Sequence, residues 1–149
     1  MTNEPAGRSS RPLAAATLTL ALLLGGCATV QDWAGSIGGT AAASSTADEQ
    51  GRRKLAEGVG LYDAGDFGGA IRALNAPEIE QSDLATRVEA GKYLAFSYCV
   101  TNRRTLCRRT FDRVLAIDSD FALKPAEAGH PLWGPVFAQA RKAADKRAN

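Results

Sequence analysis

The sequence predicts an all-α fold made of two helical hairpins and a C-terminal capping helix. Three observations point there. Apolar residues recur at helical spacing in several separate segments. Breaks rich in glycine, asparagine and proline divide those segments. No stretch of any length alternates apolar with polar residues as a strand would.

The elements follow in order. Thr46 and Glu49 have capping-box spacing, which satisfies free N–H groups at a helix start. Leu55, Val59 and Tyr62 then repeat at helical period. Ala64-Gly65-Asp66 breaks the run. A second helix carries Phe67, Ala70, Ile71 and Leu74 on one face, and Asn75-Ala76-Pro77 ends it. Ser82 or Asp83 caps a third helix bearing Leu84, Val88, Leu94, Ala95 and Tyr98. Thr101-Asn102 makes a tight turn. The fourth helix presents Leu106, Cys107, Phe111, Val114, Leu115 and Ile117. Residues 118–133 read as irregular, with Pro125 and Pro131. Pro135 suits the first turn of a last helix, since its missing N–H is not needed there. Val136, Phe137 and Ala140 line that helix's inner face, and its basic end suits a solvent-exposed terminus.

Upstream, the chain has a different character. Arg8 and Arg11 precede an apolar run from Leu13 to Leu24. That run is shorter than the roughly 20 residues a membrane-spanning helix needs. Positive charge followed by a short apolar run is the pattern of an export signal. The run ends in Leu24-Gly25-Gly26-Cys27, which resembles the lipobox of bacterial lipoproteins: a branched apolar residue, two small ones, then cysteine. The resemblance implies cleavage between Gly26 and Cys27, with the Cys27 thiol carrying a diacylglycerol. Each buried CH₂ of such chains gives about 0.8 kcal/mol, and stable anchoring takes more than one chain. Ala28 stands where, in such lipoproteins, an aspartate retains the protein in the inner membrane. Its place here implies an outer-membrane anchor facing the periplasm.

The organisation expected is therefore a signal peptide over 1–26, a lipidated flexible tether over 27–45, and a helical domain over 46–149. Residues 28–45 are rich in Ala, Gly, Ser and Thr, as flexible linkers are. Val30, Trp33 and Ile37 leave a second reading open, a short helix with one apolar face. Loss of Glu4, Arg8 and Arg11 with the signal lowers the formal charge from +2 to +1. So weak a global field gives no reason to expect nucleic acid as a partner.

Within the domain, Gly65-Asp66-Phe67-Gly68-Gly69-Ala70-Ile71 resembles the turn and second helix of a tetratricopeptide repeat. Gly58 takes the small-residue position of the first helix, and Leu61-Tyr62 follow where an aromatic is usual. In a second unit, Leu94-Ala95 and Tyr98 fill the first-helix positions. Phe111, Val114 and Leu115 fill the second helix. The units lie 37 residues apart, counted from Ala70 to Cys107, against a usual period of about 34. Arg104, Arg108 and Ser119 depart from the repeat's pattern, where an aromatic, an apolar residue and a proline are usual. A generic bundle of two hairpins is the other architecture these patterns allow. Two repeats are few for a stack that buries its own faces, which favours association with a partner or a second copy.

Chemistry-bearing residues are sparse. His130 is the single histidine, and nothing marks a nucleophile or orienting group for it. No Cys/His cluster has metal-ligand spacing, and no glycine-rich phosphate loop occurs. No catalytic residue, metal ligand or cofactor is therefore assigned, and the chain reads as a non-enzyme. Cys99 and Cys107 remain once Cys27 takes lipid. In an oxidising compartment they can form a disulfide, and the repeat register places them near bonding distance; two buried thiols are the alternative. Arg103, Arg104, Arg108, Arg109 and Arg113 crowd the turn and the fourth helix. They are either a solvated face or a docking surface for an acidic segment or anionic headgroups.

The segment His130-Pro131-Leu132-Trp133-Gly134-Pro135-Val136-Phe137, with the paired-cysteine repeat, is similar to small repeat lipoproteins of type VI secretion systems. The resemblance implies a lipid-anchored interaction scaffold, accessory to such an apparatus, that binds periplasmic components. A structural factor for outer-membrane or cell-wall assembly is the other class.

Overall fold

The computed structural model describes residues 31–148, with side chains from Ala43 onward. The signal peptide over 1–26, its cleavage at Gly26–Cys27 and the lipid site at Cys27 lie outside the described residues. Seven helices occur among the described residues, with no strand: α1 (Gln31–Asp63), α2 (Phe67–Leu74), α3 (Pro77–Glu80), α4 (Leu84–Val100), α5 (Arg104–Ile117), α6 (Pro125–Ala128) and α7 (Gly134–Ala148).

α1 packs on α2, and α4 packs on α5. α4 also lies against α1, α2 and α3, while α7 covers α5. The two hairpin turns are built alike. After α1, the Asp66 N–H donates to Leu61 O at 2.9 Å and Gly65 takes φ +79°. After α4, the Arg103 N–H donates to Tyr98 O at 2.8 Å and Asn102 takes φ 60°. Both close the helix with the bond between its C″ N–H and C3 carbonyl, and both need a left-handed residue to do so. Glycine supplies that conformation without strain, and asparagine is among the side chains that tolerate it. Each pair of equivalent positions is separated by the same 37 residues.

The core forms two clusters. Ala70, Leu74, Ile79, Ala90 and Leu94 bind α2 and α3 to α4. Phe96, Phe111, Leu115, Trp133, Val136 and Phe137 belong to the larger cluster, which joins α4, α5 and α7. Tyr62, Tyr93 and Tyr98 pack against both. Gly58 is held to glycine by packing, because a Cβ there would meet the Leu74 side chain at 2.5 Å. Cys99 and Cys107 are joined by a disulfide across the second hairpin, Cα–Cα 5.2 Å.

Several expectations change. α1 begins upstream of Thr46, so Thr46 and Glu49 lie inside a helix and form no N-terminal box. Residues 31–45, read as linker from their composition, continue that helix. Ala41-Ala42-Ala43 is strongly helix-forming, and no proline interrupts Gln31–Asp63. Two short helices stand where breaks were expected. α3 and α6 each start on a proline, whose fixed φ suits the first turn. Of the two caps considered for α4, Asp83 acts, accepting the Thr86 N–H at 2.8 Å. Leu84, Leu106 and Ile117, assigned to apolar faces, are 51%, 39% and 38% exposed. They lie at helix ends or on the side of α5 away from α7, where no element covers them.

The disulfide closes a loop with a sequence separation of 8. By chain entropy a loop of that size is worth about 2.5 kcal/mol. Thermal unfolding followed by circular dichroism, with and without reductant, should show a loss of roughly 10 °C or more on reduction. An unchanged midpoint would rule out this stabilising role.

Candidate functional site

The five arginines do not form one uniform patch. Arg108 donates to Asp112 at 3.1 Å and is partly buried by that pair. Arg103, Arg104, Arg109 and Arg113 are exposed, and no carboxylate among the described residues pairs with them. Arg104, Arg108 and Arg109 border a shallow notch against Val136 and Gln139 of α7. Arg109 and Arg113 border another, with Tyr98, Leu106 and Thr110. α5 thus carries unpaired positive charge along most of its exposed side.

That charge is placed against local stability. Arg103 is the N-cap of α5, and no side chain caps the helix. The first turn holds no acidic residue, although the helix dipole favours negative charge there. The equivalent residue of the first hairpin, Asp66, accepts the Gly69 N–H at 2.8 Å. The two caps share backbone geometry, φ −81°, ψ 72° at Asp66 and φ −91°, ψ 59° at Arg103. An aspartate would fit at 103, and arginine stands there instead.

A second ionic cluster was not foreseen. Lys92 is buried at 3% exposure, and its ammonium donates to Glu89 at 2.8 Å and to Glu127 at 3.1 Å. It also lies 4.6 Å from the centroid of the Tyr93 ring. Burial works against the charge of Lys92, but the Glu89 and Glu127 hydrogen bonds outweigh it and raise the pKa. The lysine holds its proton firmly, so it braces rather than reacts. Glu127 belongs to α6, so this contact ties the segment between α5 and α7 onto α4. The signal was present in the sequence: Val88, Ala95 and Cys99 define the buried side of α4, and Lys92 falls among them at helical spacing.

His130 stacks on Trp133, centroids 3.3 Å apart, and its Nδ1 accepts the Leu132 N–H at 3.2 Å. Trp133 in turn stacks on Phe96 at 4.3 Å and donates its Nε1–H to Glu127 O at 2.9 Å. His130 is therefore spent on packing. Among the described residues no group of three His, Cys, Asp or Glu is placed to hold a metal ion, and no helix is long and apolar enough to cross a membrane. No protein-family model, curated protein or solved structure matches this chain.

Two outcomes follow from these arrangements. Arg103→Asp should raise the stability of the fold by about 1 kcal/mol, read by denaturant titration, because it restores the missing cap. A loss of stability would show that Arg103 is held by contacts of its own. The second concerns acid. Partial burial alone would raise the Glu127 carboxyl, but the Lys124 N–H and the Lys92 ammonium outweigh it and hold its pKa below the ordinary 4.5. A group whose folded pKa is depressed stabilises the fold above its unfolded pKa and loses that contribution as pH falls through the folded value. Glu127→Gln should therefore lower the melting temperature near neutral pH and flatten its decline between about pH 5 and 3. An acid limb parallel to that of the wild type would contradict this assignment.

Proposed function

We propose that this protein is a lipid-anchored periplasmic interaction scaffold, built on two tetratricopeptide-like hairpins and accessory to an envelope secretion apparatus of the type VI kind. The exposed, unpaired arginines of α5 carry the reading. Four unpaired guanidinium groups spread over the exposed flanks of a disulfide-clipped hairpin offer donors for carboxylates or phosphates. Arg103 and Arg104 stand at an uncapped helix start, which fits a binding role held at the expense of local stability.

The repeat reading is supported by the recurrence of one turn geometry at an interval of 37 residues. The anchor reading rests on Leu24-Gly25-Gly26-Cys27. In this picture α1 begins four residues beyond the lipidated cysteine. At 1.5 Å per residue, the helix from Gln31 to Gly51 adds about 30 Å before the body begins. Gly51 marks that point, since a Cβ on it would meet Ser82 at 2.3 Å. The scaffold would stand off the membrane on a helical strut.

Crosslinking in native membranes, with Cys27→Ser as the control, tests the proposal. Metabolic labelling with a fatty acid should mark the wild type and miss the control. Secretion-machine components should crosslink to the wild type and disappear with the anchor. An unlabelled wild type would remove the lipid anchor. Crosslinks confined to cell-wall or outer-membrane assembly proteins would replace the secretion role with a structural one.

A further inference from the structure

Two notches on the surface beside α5 adjoin one another. The first lies between α2–α3 and α5, above α4, with a volume of about 260 Å³ and walls that include Leu74, Ile79, Leu94 and Val114. The second lies farther along, between Tyr98 and Leu106. Thr110 and Arg113 line both. Asn75 borders the first and Tyr98 the second, and the Asn75 side chain donates to the Tyr98 hydroxyl at 3.3 Å. Together the two notches form an interrupted groove beside α5, from exposed Leu106 to exposed Ile117.

We propose that this groove binds a short acidic segment of a partner protein, with an apolar anchor seated in the first notch and carboxylates on Arg109 and Arg113. The inference rests on the interaction-scaffold reading and names the chemistry of its partner. Charge complementarity selects the occupant. Arg109 and Arg113 flank the groove without ion pairs among the described residues. Arg87, on α4 beneath the notch, is held loosely, 3.8 Å from Glu80. The apolar walls add a demand that carboxylates alone do not meet. The first notch, at about 260 Å³, suits one bulky apolar side chain. Leu106 and Ile117 stand about 16 Å apart along the helix, the length of five extended residues. A bilayer surface fits less well, because the notch is recessed between α2–α3 and α5.

Fluorescence anisotropy on the full mature lipoprotein in neutral detergent tests this, using a short labelled peptide with one leucine flanked by glutamates. Binding should weaken with salt. It should fall about tenfold for each of Arg109→Glu and Arg113→Glu, the worth of one charge-assisted bond. Ile117→Asp should weaken it as well, and Lys142→Glu on exposed α7 should not. A probe with every glutamate changed to glutamine leaves the protein untouched and should bind poorly. Equal binding of that probe, indifference to the α5 variants, or no binding at all would overturn the proposal. So would displacement of the peptide by phosphatidylglycerol vesicles but not by phosphatidylcholine, which would assign the arginines to lipid. Membrane crosslinks that persist when the peptide fails would leave a scaffold working through another face.

Discussion

Phe96 sits where the second half of the molecule has to close. Its ring stacks on Trp133 at 4.3 Å, meets Phe111 at 6.2 Å and Tyr93 at 6.0 Å, and lies 6.3 Å from Tyr62. Those partners come from α1, α4, α5 and the segment before α7. Edge-to-face and offset contacts of this kind add about 0.5–1.5 kcal/mol each beyond the area they bury. Leu123 and Phe121 hold the same chain between α5 and α7, Leu123 buried in the core and Phe121 edge-on to Phe137 at 5.8 Å. Lys92 and Glu127 secure the same segment from the polar side. Arg141 of α7 adds donors to the Ser119 and Phe121 carbonyls. A loop that holds only one four-residue helix is thus tied to α4 and α7 by apolar, ionic and hydrogen-bonded contacts.

Much of this was legible in the sequence, and the failures have physical causes. The breaks at Gly65 and Asn102 were readable because a left-handed turn residue restricts the side chains that fit. The inner face of α7, with Val136, Phe137 and Ala140 buried, followed from spacing alone. The start of α1 did not. Composition cannot separate a flexible Ala/Ser/Gly tether from a helix continued by a packed segment downstream, because propagation is easy once a helix is nucleated. Leu106 and Ile117 were misplaced because periodicity marks which residues are apolar and not whether a neighbouring element exists to cover them. Lys92 was passed over because a single lysine within a helix is ordinarily a surface residue, and the Glu127 that pairs with it lies 35 residues farther on.

The two hairpins share a backbone plan and diverge in how they are secured. In the first, Asp66 caps α2, and Tyr62 meets Phe67 edge-on at 5.5 Å. Shifted by 37 residues, these positions are Arg103, Cys99 and Arg104. The cap and the aromatic contact are both gone. The Cys99–Cys107 bond occupies the same corner, linking the last turn of α4 to the first turn of α5. A covalent clip does not depend on what the flanking residues are, whereas a cap and an aromatic pair do. Once the disulfide holds the corner, positions 103 and 104 are released from their structural duties. Arginines can accumulate there at a cost the clip absorbs. The disulfide and the arginines at 103 and 104 are, on this argument, linked: the bond makes the corner stable enough to carry unpaired charge.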